Sequence, residues 1–183
     1  MKPGKWQIWL EDRRELEKDF GRYMRTGQVR RIGKQERLSN IHIEKAFHNL
    51  DFANFTLSDQ NRVNKRIVNE TYFDWVIIIS YYAMYHAALS MLYEMGFKSS
   101  SHLGTICVLC KECMGKNLNE DDITKISQAM DVNEEEIKGL GRAKERREKA
   151  SYSGSITFEK HLAEMTITDA RKFINKIADI LSV

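Results

Sequence analysis

Cys107, Cys110 and Cys113 form Cys-x2-Cys-x2-Cys, a spacing that suggests metal chemistry. Steps of three along a helix set the sulfurs roughly on one face, and His102 lies upstream. Structural zinc and iron–sulfur sites, however, draw their ligands from turns that wrap around the metal. Ile106, Val108 and Leu109 interleave with these cysteines, so they read as small core hydrophobes; no metal or cofactor is expected. The five histidines are His42, His48, His86, His102 and His161. His86 falls on the most apolar stripe and reads as a hydrogen-bonded core histidine. His102 follows Ser99-Ser100-Ser101 at a helix start, where it caps the helix, lines a site or sits in a loop. None has a Ser, Cys or carboxylate partner at short range for a nucleophilic triad. Gly-x-Gly-x-x-Gly, a Walker-type phosphate loop and His-Glu-x-x-His are all absent from the sequence.

Basic residues form two concentrations. Arg22, Arg25, Arg30, Arg31, Lys34 and Arg37 stand against Glu36 alone, and Lys138, Arg142, Lys144, Arg146, Arg147 and Lys149 are diluted by Glu145 and Glu148. Either alone suits a solvated helix face. Together they raise the expectation of a phosphate-seeking surface, with Arg30 and Arg31 as candidate ligand-binding residues. The formal net charge of +3 is too mild to argue for nucleic acid unaided.

The elements that must position these residues are helical. Pro3 is the single proline, the ten glycines are scattered, and neither Asn-Gly nor Asp-Gly announces a hairpin. With 42% hydrophobic and 30% charged residues over 183 positions, the chain suits one all-α domain with an appended arm. Trp6 to Met24 reads as one amphipathic helix, followed by a polar stretch through Lys34. A second helix is expected from Ser39 as N-cap, carrying Ile43, Ala46, Phe47, Leu50 and Ala53, with a polar connector from Ser58 to Asn69. Thr71 to Met95 is the most apolar element. Trp75, Ile78, Ile79, Tyr82, Ala83, His86 and Leu89 share a stripe widened by Val76 and Ile77, which predicts the central, most buried helix, ended by Gly96. Further helices are expected over His102 to Met114, after Asn119 through Ile123, Ile126 and Met130, from Asn133 to Ala150, and from Phe158 to about Leu181. The longest apolar run, Trp75 to Ser80, is short of a membrane span. The charged N-terminus lacks a signal-peptide core, and an odd number of cysteines points to a reducing cytoplasm.

Two stretches carry a family resemblance. Tyr81-Tyr82-Ala83-Met84-Tyr85-His86-Ala87-Ala88, with Gly96 and then Ser101-His102 downstream, resembles the central-helix signature of HEPN proteins. Arg146-Arg147-Glu148-Lys149-Ala150-Ser151-Tyr152 resembles a subgroup pattern Arg-x-x-Ala-Asp-Tyr, with Ser151 where Asp is usual. The resemblance covers roughly residues 39 to 181; residues 1–38 form a basic N-terminal helical extension, and residues 39–183 the bundle.

The resemblance implies an antiparallel helical bundle, commonly a homodimer, whose Arg-bearing helices meet near a cleft that receives nucleotide or RNA. Many HEPN members are metal-independent ribonucleases, and several are toxins paired with a small nucleotidyltransferase antitoxin. That chemistry needs a cation on the scissile phosphate and a group near neutral pKa to move the 2′-hydroxyl proton. Arg147 suits the first role, with Arg146, Ser151 and His102 as further ligand-binding candidates. The second role is where this sequence departs from the family: Tyr152 stands where a histidine is expected. Tyrosine titrates near ~10 and serine higher, so neither is a ready base, and the loss of a tuned base costs roughly two to four orders of magnitude in rate. Arg147 and Ser151 share a helix face, whereas Tyr152 is rotated roughly 140° from Arg147. Three functions follow: a binding or partner-docking module without efficient cleavage; a toxin-type ribonuclease with Arg147 on phosphate and a base from Tyr152, His102 or a dimer mate; and a helical oligomerisation protein without a nucleic-acid role.

Overall fold

Between Asp74 and Glu94 the chain carries no Asp, Glu, Lys or Arg, so a helix there must be covered over most of its circumference. The computed structural model describes residues 5–63, 72–127 and 155–183. In it, Lys5–Glu11 (α1), Arg13–Arg25 (α2), Val29–Arg31 (β1), Glu36–Val63 (α3), Phe73–Glu94 (α4), Phe97–Ser99 (β2) and His102–Glu112 (α5) precede a helical segment at 120–127 (α6) and Ser155–Leu181 (α7). The helix expected from Asn133 to Ala150 lies outside the described residues, as does Met130.

The fold is an all-α bundle with one small antiparallel ribbon, β1–β2. α4 is its centre. α3 lies along one side and α7 along another, with α5 and β2 packed against it as well. α4 is long and apolar enough to cross a membrane by length and composition, but 72% of its most apolar window is buried inside the bundle. Trp75 and Tyr82, placed by periodicity on the core stripe, are instead 48% and 37% exposed. With apolar residues on every side of α4, the stripe does not tell the covered faces from the open one.

α3 and α4 run antiparallel, since Ser39 meets Ser90 while His42 meets His86. Ser39 is not an N-cap: α3 begins at Glu36, and the Ser39 N–H already donates to the Gln35 carbonyl. Its buried hydroxyl donates to the Ser90 carbonyl (3.0 Å), and the Ser90 hydroxyl donates back to the Ser39 carbonyl (2.8 Å). α3 also continues to Val63, through part of the stretch expected to be a connector.

The N-terminal segment is two helices rather than one. Asp12 leaves helical geometry (φ −122°, ψ 100°) and its carboxylate accepts from the Arg14 and Glu15 N–H groups, so it ends α1 and caps α2. α1 and α2 pack on α5, and the core runs without a break from Trp6 and Trp9 to Ile177 and Ala178. At the start of α6, Asn119 and Asp122 cap one another: the Asn119 N–H donates to the Asp122 carboxylate, and the Asp122 N–H to the Asn119 side-chain oxygen.

Gly96 follows α4 with φ +79°, and a Cβ there would stand 2.9 Å from the Gly33 carbonyl carbon. Gly115 has φ +77° with nothing within 4 Å. Gly115→Ala should therefore cost about 1 kcal/mol from backbone strain alone. Gly96→Ala should cost about 1–2 kcal/mol more, because backbone atoms must move. Urea unfolding of the two variants tests this; equal losses would show that the Gly33–Gly96 contact is soft.

Candidate functional site

α5 begins at a tightly specified turn. Ser101 is extended (φ −138°, ψ 146°), and its hydroxyl accepts from the Gly104 N–H at 3.0 Å. Its carbonyl accepts from the Thr105 N–H and hydroxyl and from the Ser99 hydroxyl. A side chain at Gly104 would meet the Ser101 hydroxyl at 2.7 Å and Val29 at 3.1 Å, so only glycine lets α5 seat against the ribbon. This turn holds His102, the first residue of the helix, which is thus adjacent to the cap rather than the cap itself.

His102 lies face to face with Tyr85 (4.4 Å between centroids, 4° between planes) and stacks at 5.6 Å on Tyr81, whose hydroxyl is paired with its Nδ1. Burial raises the Tyr85 phenol, partly offset by its hydrogen bond with Thr105. Tyr85 also neighbours His86 at 6.4 Å. The His86 Nδ1 sits 2.9 Å from the His42 Nδ1, and His42 stacks on Tyr93 at 5.1 Å. Tyr93, His42, His86, Tyr85, His102 and Tyr81 thus form a continuous belt of rings across α3, α4 and the start of α5.

The electrostatics of the His42–His86 pair are those of neutral rings. Burial, followed by His86 and then Lys45, pulls His42 down to about 4; burial and Lys45 lower His86 in the same direction. Two neutral imidazoles whose Nδ1 atoms face each other hold one proton between them, one ring donating and the other accepting. Such a pair offers hydrogen bonds and ring faces rather than positive charge. His86 is the hydrogen-bonded histidine that its apolar stripe implied, though half-buried. Its partner His42 was not singled out in the sequence, because the two are brought together only by the α3–α4 pairing.

Arg30 and Arg31 lie in β1, on the ribbon. The Arg31 guanidinium sits 4.7 Å above the Phe97 ring and 3.9 Å from Glu112. Other members of the first basic concentration are also engaged: Arg22 pairs with Asp19 and covers Tyr23, and Lys34 pairs with Glu94. A hollow between α1 and α2 is lined by Lys5, Lys18, Arg22 and Arg25, but Asp19 and Glu15 pair with the first three. Arg146, Arg147, Ser151 and Tyr152 lie outside the described residues. The three cysteines are buried free thiols, each pushed up to about 12 by burial above all. Cys113 Sγ rests 3.4 Å from Met95 Sδ. Protonated thiols in this setting act as core hydrophobes, as their apolar neighbours implied.

The histidine pair makes stability depend on pH. Because His42 titrates near 4 in the folded chain and near ~6.5 when unfolded, the unfolded chain binds more protons between those values. The pair's contribution is fully present above the unfolded value and is lost as pH falls through this window. Solvent screening at a half-buried site reduces the effect to roughly 1–2 kcal/mol. Urea unfolding at pH 7 and pH 5 should show this loss in the wild type and a flatter profile in His42→Gln. Parallel profiles would refute the assignment.

The profile of the HEPN domain family matches residues 40–180. A UPF0332 protein of Archaeoglobus fulgidus is 36% identical over 99 residues, which are 53% of this chain and 72% of that relative. His42, His86 and His102 fall inside the family match, whereas Arg30, Arg31 and both N-terminal helices precede it. With its helical bundle and a match over most of its length, the chain belongs to the HEPN domain family.

Proposed function

We propose that this chain is a nucleotide- or RNA-associated HEPN protein that binds its ligand, or docks a nucleotidyltransferase partner in a toxin–antitoxin pair, without efficient cleavage. The observation that carries the reading is the ring belt. The half-buried His42, His86, Tyr85 and His102 offer ring faces and hydrogen-bonding edges to a base, while Tyr81 and Tyr93 are buried. Arg146 and Arg147, with Ser151 and Tyr152, would supply phosphate contacts. Homodimerisation and a cytoplasmic setting belong to the same reading.

One observation favours a second reading, a metal-independent ribonuclease. His102 is held by Tyr81 and Tyr85 inside the family-matched region, and an imidazole is the side chain suited to moving a 2′-hydroxyl proton at neutral pH. Arg147 would then hold the phosphate while His102, in place of the histidine absent after Arg147, serves as base.

Incubation of labelled RNA with wild-type protein, Arg147→Ala and His102→Ala separates the readings. The first expects RNA bound but uncut at low salt, with binding weakened about tenfold in Arg147→Ala. Cleavage by the wild type that both variants lose would replace it with the second. No binding at low salt would exclude both RNA readings and leave partner docking or a purely structural helical protein.

A further inference from the structure

The ribbon separates two arginines that are adjacent in sequence. Its register sets Val29 opposite Ser99, Arg30 opposite Lys98 and Arg31 opposite Phe97. Side chains alternate across a strand, so Arg31 shares the inner face with Val29, which is 0% exposed, while Arg30 points outward. The hydrogen bonds from Ile32 N–H to Gly96 O (2.8 Å) and from Ser100 N–H to Gln28 O (2.9 Å) bracket the ribbon at two-residue steps. Arg30–Lys98 therefore falls in the same hydrogen-bonded class, and its two side chains leave one face side by side.

Two cations directly opposed on an antiparallel pair destabilise it. Among the described residues neither has an acidic partner; Arg30 Nε donates instead to the Gly27 carbonyl at 3.1 Å. That bond fixes the guanidinium plane and leaves both Nη groups open for a bidentate contact, with the Lys98 ammonium beside them as a point charge. Their neighbours on the outer face are the polar, exposed Gln28 and Ser100 on one side and Ile32, 37% exposed, on the other. A stable protein–protein contact needs a well-packed centre with several large anchoring side chains, and a lone Ile32 beside two cations does not make one.

We propose that Arg30 and Lys98 form a phosphate-chain site, and that the chain it takes is the backbone of single-stranded RNA. Arg31 has no part in it, because Phe97 and Glu112 hold it on the other face. RNA as the carrier rests on the functional reading above; the phosphate site does not.

The test uses the full chain. Fluorescence anisotropy with a short labelled single-stranded RNA should show Arg30→Ala and Lys98→Ala each weakening binding roughly three- to tenfold at low salt and lowering the salt slope by about one. Arg31→Ala, once circular dichroism shows it folded, should keep the wild-type slope. Without ligand, Lys98→Ala should melt higher than the wild type. Inorganic tripolyphosphate should raise the melting temperature of the wild type but not of the Arg30→Ala/Lys98→Ala double variant. If RNA binds the double variant as it binds the wild type, the site is overturned while the RNA reading stands. If the wild type ignores RNA but tripolyphosphate protects it and not the double variant, the site stands and the RNA carrier is overturned. Equal protection of both proteins by tripolyphosphate overturns the site outright.

Discussion

The α3–α4 seam is the constraint on which the rest of the molecule depends. Two buried serines, Ser39 and Ser90, satisfy one another's backbone carbonyls across it, and fully buried Ala46, Ala53, Ala83 and Ala87 keep side chains small on the two helices. Burying polar groups costs free energy unless each is paired, so a slip along this seam would orphan two buried hydroxyls at once. The pairing fixes register as much as it adds stability. That register brings His42 opposite His86, one helical turn along, and so makes the ring belt continuous.

The belt and the ribbon divide the chemistry between them. Burial and the nearby Lys45 ammonium keep His42 and His86 neutral, which suits a surface that reads ring faces and hydrogen-bonding edges. Positive charge is held elsewhere and is thinner than the sequence count suggests. Arg22, Arg31 and Lys34 each pair with a carboxylate within the chain. A guanidinium stacked on Phe97 and facing Glu112 acts as part of the packing. Charge clustering in sequence therefore overstates the charge available to a ligand, and strand alternation decides which member of an adjacent pair is available.

The features legible in the sequence were those set by composition and by strong periodicity. Near-absence of proline gave the helical class, the uncharged stretch from Trp75 to Tyr93 gave the central helix, and Gly96 gave its end. Features set by long-range pairing were not legible. The break at Asp12 involves neither proline nor glycine, and that residue looks like any surface acid until its carboxylate is seen on two N–H groups. Ser39 has the residue type of a cap but serves a tertiary contact. The ribbon joins two three-residue segments from distant parts of the chain, too short to show a period of two. Of the candidate site residues, His102 was legible because three serines announce a turn; His42 was not, because its meaning lies on another helix.

The family match begins at residue 40, yet the domain it covers is shaped to receive what comes before it. Gly96 and Gly104 both lie inside the match, and each is limited by the N-terminal segment: Gly96 by the Gly33 backbone, Gly104 in part by the Val29 side chain. Lys111 on α5 spans the Phe20 ring and pairs with Glu17, while Val29 and Phe97 bury their side chains in the common core. Glycines that make room for a neighbour, and a core that crosses the boundary, are inconsistent with a loosely tethered arm. α1 and α2 pack against α5, and β1 pairs with β2 in a ribbon that presents Lys98, a residue of the matched domain, beside Arg30, which the matched domain does not contain.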